Sequence, residues 1–97
     1  MNQSVIPITS PSSMIYAGEH FSIALKEVPC SNCYWEANIP HEISIISNTP
    51  SILHPERLKE WVFSTTTRGT HSLVFIYRKR CCGKPILQKE YFTITVV

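Results

Sequence analysis

The feature that most constrains this chain is a strict alternation of apolar and polar residues, repeated in short runs. In "HFSIALK" Phe21, Ile23 and Leu25 recur at every second position. In "CYWEANI" Cys33, Trp35 and Ala37 share one side, while Tyr34, Glu36 and Asn38 share the other. "THSLVFIYR" sets His71, Leu73, Phe75 and Tyr77 against Ser72, Val74 and Ile76, and "KEYFTITVV" sets Phe92, Ile94 and Val96 against Tyr91, Thr93 and Thr95. Period two is the signature of a half-buried strand, because successive side chains leave a pleated backbone on opposite faces. Together with "QSVIPIT", the β-branched "EISIIS" and "EWVFSTTT", the count comes to about seven strands, punctuated by Pro, Gly, Ser and Asn. Gly18 and Gly69 precede strands, where a turn needs a permissive backbone. The one helical candidate, "HPERLKEW", has Leu58 and Trp61 three apart and is expected to be no more than a turn within a loop. An all-β antiparallel sandwich follows: each sheet buries one face against the other.

No repeat, linker or low-complexity tract interrupts the pattern, so residues 1–97 are expected to form a single domain. With 16% charged and 43% hydrophobic residues, this is an ordinary globular composition. A formal charge of +2 does not argue for nucleic acid, and no apolar run approaches the ~20 residues needed to span a bilayer. "MNQSVIPITS" has no basic region followed by an apolar one, so the expected compartment is the cytosol, with a vesicle or lysosome as the other option. Just three glycines leave no phosphate-cradling loop, and His20, His41, His54 and His71 are scattered without ligand spacing. No catalytic order of residues stands out, and the chain is expected to be neither an enzyme nor a holder of a metal or cofactor.

The order of segments "AGEHFSIALKEVPCSNCYW", a long middle connection, "RGTHSLVFIYRKRCCGKP" and "EYFTITV" resembles the chagasin family, small immunoglobulin-like inhibitors of papain-type cysteine proteases. The resemblance spans about Ala17 to Val97. It implies an immunoglobulin-like sandwich whose three loops at one end wedge into a protease cleft. Loop one of that family reads Asn-Pro-Thr-Thr-Gly; its counterpart here is Val28, Pro29, Cys30, Ser31 and Asn32. Pro29 is retained, Ser31 keeps a hydroxyl, and Asn32 replaces glycine with a residue that tolerates left-handed backbone. Val28 and Cys30 depart from the motif. Loop two would be Thr49, Pro50, Ser51, Ile52, Leu53, His54 and Pro55, without the family's glycines. Loop three would be Lys79, Arg80, Cys81 and Cys82, basic where the family adds a tryptophan.

The resemblance also frames the four cysteines. Cys30 and Cys33 form a CxxC, but a strand follows them, whereas a redox pair needs a helix N-terminus to acidify its first thiol. Zinc could draw on both loops, yet adjacent residues of an extended strand point opposite ways, so Cys81 and Cys82 make a poor half-site. Cys33 shares a face with Trp35 and is expected to pack as a small core hydrophobe. Cys30, at one loop apex, is expected to pair with Cys81 or Cys82 at the neighbouring apex under oxidising conditions, which would tie loops one and three together. Arg78, Lys79, Arg80, Lys84 and Lys89 fit a solvated hairpin or a positive rim that steers an acidic partner. The implied partner is a papain-like cysteine protease met by a monomer. An immunoglobulin-like interaction module without protease inhibition is the alternative, since a sandwich alone does not establish function.

Overall fold

The computed structural model describes residues 5–26, 32–51, 58–80 and 83–97, and for 49–51 the backbone alone. Eight strands follow one another: β1 (Val5–Pro7), β2 (Ser12–Ile15), β3 (His20–Lys26), β4 (Cys33–Asn38), β5 (Ser44–Ser51), β6 (Leu58–Ser64), β7 (Gly69–Lys79) and β8 (Ile86–Val96). No helix occurs among the described residues. One sheet has the order β1-β3-β6-β5 and the other β2-β8-β7-β4, the two forming an immunoglobulin-like sandwich.

The alternating runs became strands, and their inward residues met. Phe21, Ile23, Trp61 and Phe63 of the first sheet are buried against Leu73, Phe75, Ile94 and Val96 of the second. Phe75 is the hub: its ring lies 4.8 Å from that of Trp61, 6.2 Å from Phe63 and 5.6 Å from Phe92, the last edge-on. Offset and edge contacts at such distances suit the ring quadrupoles. All four of His71, Leu73, Phe75 and Tyr77 are buried, as the alternation in β7 requires. Gly18 (φ 90°) and Gly69 (φ 123°) both occupy the left-handed half of backbone space, where a side chain would be strained.

Three local readings change. The amino-terminal segment makes two strands instead of one: β1 runs parallel to β3 in the first sheet, and β2 parallel to β8 in the second. "SSMI" hides its nature because just Ile15 is buried, while Met14 on the other face is 65% exposed. Leu58 to Trp61, three apart as in a helix, instead pair with Lys26 to Ile23 of β3. The Trp61 ring is there because the strand period also points it inward. β5 runs on to Ser51, past Pro50. A proline is tolerated there because β5 is an edge strand, whose outer side needs no ladder donor. Pro7 in β1, at the opposite edge of the same sheet, obeys the same rule.

Candidate functional site at one end of the sandwich

Strand direction decides where the loops lie. β3 ends at Lys26 opposite Leu58, the first residue of β6, and Ser51 at the end of β5 also faces Leu58. In the other sheet Cys33, the first residue of β4, faces Lys79, the last of β7. β8 then begins at Ile86, opposite Arg78. With Trp35 of β4 bonded to Lys26 of β3, the strand ends at Lys26, Ser51 and Leu58 in one sheet and at Cys33, Lys79 and Ile86 in the other therefore lie at the same end of the sandwich. Of loop one, Asn32 is described; Val28, Pro29, Cys30 and Ser31 lie outside the described residues. Of loop two, Thr49, Pro50 and Ser51 belong to β5, and Ile52, Leu53, His54 and Pro55 lie outside the described residues. Of loop three, Lys79 ends β7, Arg80 follows in a bend, and Cys81 and Cys82 lie outside the described residues.

Two hydrogen bonds hold the roots of these loops. The Arg80 backbone N–H donates to the Asn32 carbonyl at 2.7 Å, joining the exit of loop one to the entrance of loop three. Trp35 Nε1 donates to the Lys26 carbonyl at 3.2 Å, which joins β4 of one sheet to the end of β3 in the other, across the mouth of loop one. Trp35 is half-buried at the margin of the core and stacks on Tyr77 at 4.8 Å. Alternation in β4 accounts for the inward face of this ring alone. Its indole N–H gives it a positioning role as well, a usual division of labour in a ring with one polar edge.

The outer face of the second sheet carries the charge. Arg78 Nε lies 2.9 Å from Glu36 Oε2 on the neighbouring strand, and Arg78 Nη1 donates to the Lys84 carbonyl at 3.2 Å. That guanidinium is committed to fastening loop three, whose turn takes Gly83 (φ 83°) and Lys84 (φ 52°) through left-handed backbone. The Lys79 N–H closes the base of the turn on the Pro85 carbonyl at 3.2 Å. Arg80 is different: its guanidinium carbon sits 4.4 Å from the centre of the Tyr34 ring. Among the described residues no carboxylate pairs with it. Tyr34 was not singled out from the sequence, because the β4–β7 register that brings it beside Arg78 and Arg80 is a non-local fact.

Cys33 corrects an expectation. It is half-buried and disulfide-bonded, so it is not a free thiol packed in the core. The other three cysteines, Cys30, Cys81 and Cys82, lie outside the described residues, as does the pairing expected between Cys30 and Cys81 or Cys82. A sulfur held in a disulfide is no thiolate ligand, which removes Cys33 from the zinc reading. Among the described residues no three His, Cys, Asp or Glu side chains gather into a metal-sized group.

The sequence matches no protein-family model and no curated protein. Its structure does find counterparts. The solution structure of Amebosin superposes with a TM-score of 0.56 at 15% identity, covering 99% of this chain and 97% of that one. The crystal structure of a cysteine protease inhibitor, EhICP2, from Entamoeba histolytica superposes with a TM-score of 0.78 at 17% identity, covering 96% of this chain and 95% of that one. At these identities the likeness is one of fold: nearly the whole chain follows the sandwich on which that inhibitor is built.

Proposed function

We propose that this chain is a reversible inhibitor of papain-like cysteine endopeptidases that acts as a monomer by plugging the active-site cleft. Loop one, Val28 to Asn32, covers the catalytic cysteine without offering a bond in cleavable geometry. Loops two and three brace the cleft to either side. No cofactor takes part. The observation that carries this reading is the 2.7 Å hydrogen bond from Arg80 to Asn32, which makes the roots of two loops one unit at the end of a rigid sandwich. The fold shared with a cysteine protease inhibitor supports it independently.

The physical logic is pre-organisation. A plug that must order itself on binding loses affinity for every side chain and loop it freezes. Here β4 and β7 hold the loop roots in register, Trp35 clamps the mouth of loop one, and Pro29 restricts φ within it. An interface of the ordinary size, about 800 Å² per partner, then draws most of its energy from a few desolvated central contacts.

Titrating the purified domain against papain, with and without reductant, tests the proposal. Stoichiometric loss of peptidase activity is the expected result. A folded domain that leaves papain and a cathepsin untouched at micromolar concentration would instead mark an immunoglobulin-like interaction module that does not inhibit proteases.

A further inference from the structure

We infer that Arg80 selects the target: it is a fixed guanidinium that takes a carboxylate on the rim of the partner's cleft, and Tyr34 is the residue that holds it in place. The inference rests on the inhibitor reading above and adds to it the chemistry of the partner.

Arg78, Lys79, Arg80 and Lys84 surround loop three, and they are not equivalent. Arg78 is spent within the molecule, on Glu36 at 2.9 Å and on the Lys84 carbonyl at 3.2 Å. Lys79 and Lys84 are exposed ammonium groups on flexible stems, suited to long-range attraction but not to a fixed geometry. Arg80 is also exposed, yet it is anchored twice. Its backbone N–H is tied to the Asn32 carbonyl at 2.7 Å, and its guanidinium lies 4.4 Å from the Tyr34 ring centre. A cation stacked on a ring face keeps the N–H donors around its edge available, and that planar fork matches a carboxylate with two parallel hydrogen bonds. Fixing the side chain beforehand removes the entropy that a free arginine loses when bound.

Place adds to posture. The Asn32–Arg80 bond puts the Arg80 backbone at the root of loop one, and the guanidinium lies over Tyr34, two residues along from Asn32, so on the inhibitor reading a cleft edge beside loop one comes within reach of it. Glu36, two residues from Tyr34 in β4 and so on the same face, already has a partner in Arg78. Internal neutralisation of the first arginine leaves the second to face outward.

The test is a double-mutant cycle on a papain-like protease that the wild-type domain inhibits. Each acidic residue on the cleft rim is changed singly to its amide, and each protease is titrated with wild-type, Arg80→Ala, Arg80→Lys, Tyr34→Phe and Tyr34→Leu domains. Arg80→Ala should raise the inhibition constant about 10- to 100-fold, and Arg80→Lys should recover little of it, because an ammonium lacks the fork. That loss should vanish against one rim variant, which identifies the carboxylate. Tyr34→Phe keeps the ring and should inhibit nearly as well as wild type, whereas Tyr34→Leu should weaken inhibition about two- to fivefold with unchanged thermal stability. Equal inhibition by wild type and Arg80→Ala, or a loss independent of every rim carboxylate, overturns the inference and leaves the inhibitor reading standing. A wild-type domain that inhibits no papain-like protease overturns both.

Discussion

The two ends of the sandwich are held by different means. At the end where β3 and β7 begin, the contacts are sheltered and interlocked. Thr65, 4% exposed, donates its hydroxyl to the Glu42 carbonyl at 2.8 Å and accepts the Thr67 N–H at 3.1 Å. The buried His71 ring bonds the Thr67 carbonyl at 2.9 Å, and Gly18 N–H reaches the Thr65 carbonyl at 2.9 Å. The chain terminus joins in, with Ala17 N–H on the Val97 carbonyl and Val97 N–H on that of Ile15. At the other end the noncovalent ties among the described residues face solvent: Arg80 to Asn32, Trp35 to Lys26, Lys79 to Pro85, Arg78 to Lys84 and Arg80 on Tyr34. Buried polar bonds are costly to break because the orphaned group loses water as well as its partner. Exposed ones are cheap. Among noncovalent ties, the contrast assigns stability to the sheltered end and presentation to the loop end.

Substitutions at each end can break or sharpen that contrast. The largest effect is expected at Cys33, which holds a covalent tie at the loop end. Cys33→Ser should lower unfolding stability by roughly 2–4 kcal/mol in a denaturant titration, and reductant should reproduce that loss in the wild type. A loss confined to inhibition, with stability intact, would mean that the disulfide serves the loops alone. Next comes Thr65→Val, of similar shape, which removes both hydroxyl hydrogen bonds and should cost about 1–3 kcal/mol of stability without altering the inhibition constant. If inhibition fell in step, the two ends would not be separable. Smallest is Trp35→Phe, which keeps an aromatic ring beside Tyr77 but lacks the indole N–H. It should cost about 1 kcal/mol in stability while speeding amide exchange in residues 27–32, measured by mass spectrometry. Unchanged exchange there would show that the bond to Lys26 does not steady loop one.

How far the fold was legible depended on the kind of strand. β3, β6, β7 and the second half of β8 turn alternate residues into the core, with Ser22 and Ile76 buried besides, and Phe21, Ile23, Leu73 and Ile94 were placed on one face from period alone. Edge strands gave weaker signals. β2 offers one buried residue in four. β5 has exposed Ile45 and Ile46 astride a bulge, followed by a proline that reads as loop until its edge position is known. "HPERLKEW" satisfied a helical spacing and a strand spacing alike, and pairing with β3 decided between them. In the loop cluster, the resemblance brought Asn32 and Arg80 forward, but neither Tyr34 nor the clamp made by Trp35 was visible. The roles of both depend on the partner across a ladder.

What the sequence determined by itself is sidedness: which residues of each strand face the core and which face water. That property is local, since steric pleating sends neighbouring side chains to opposite faces whatever the strand pairs with. What the tertiary structure alone decided is company. Glu36 meets Arg78 across 42 residues, and Tyr34 lies beneath Arg80, because β4 pairs with β7 in one register and no other. A slip of one residue would turn Trp35 and Ala37 outward, so burial selects the register, and the register in turn places the guanidinium.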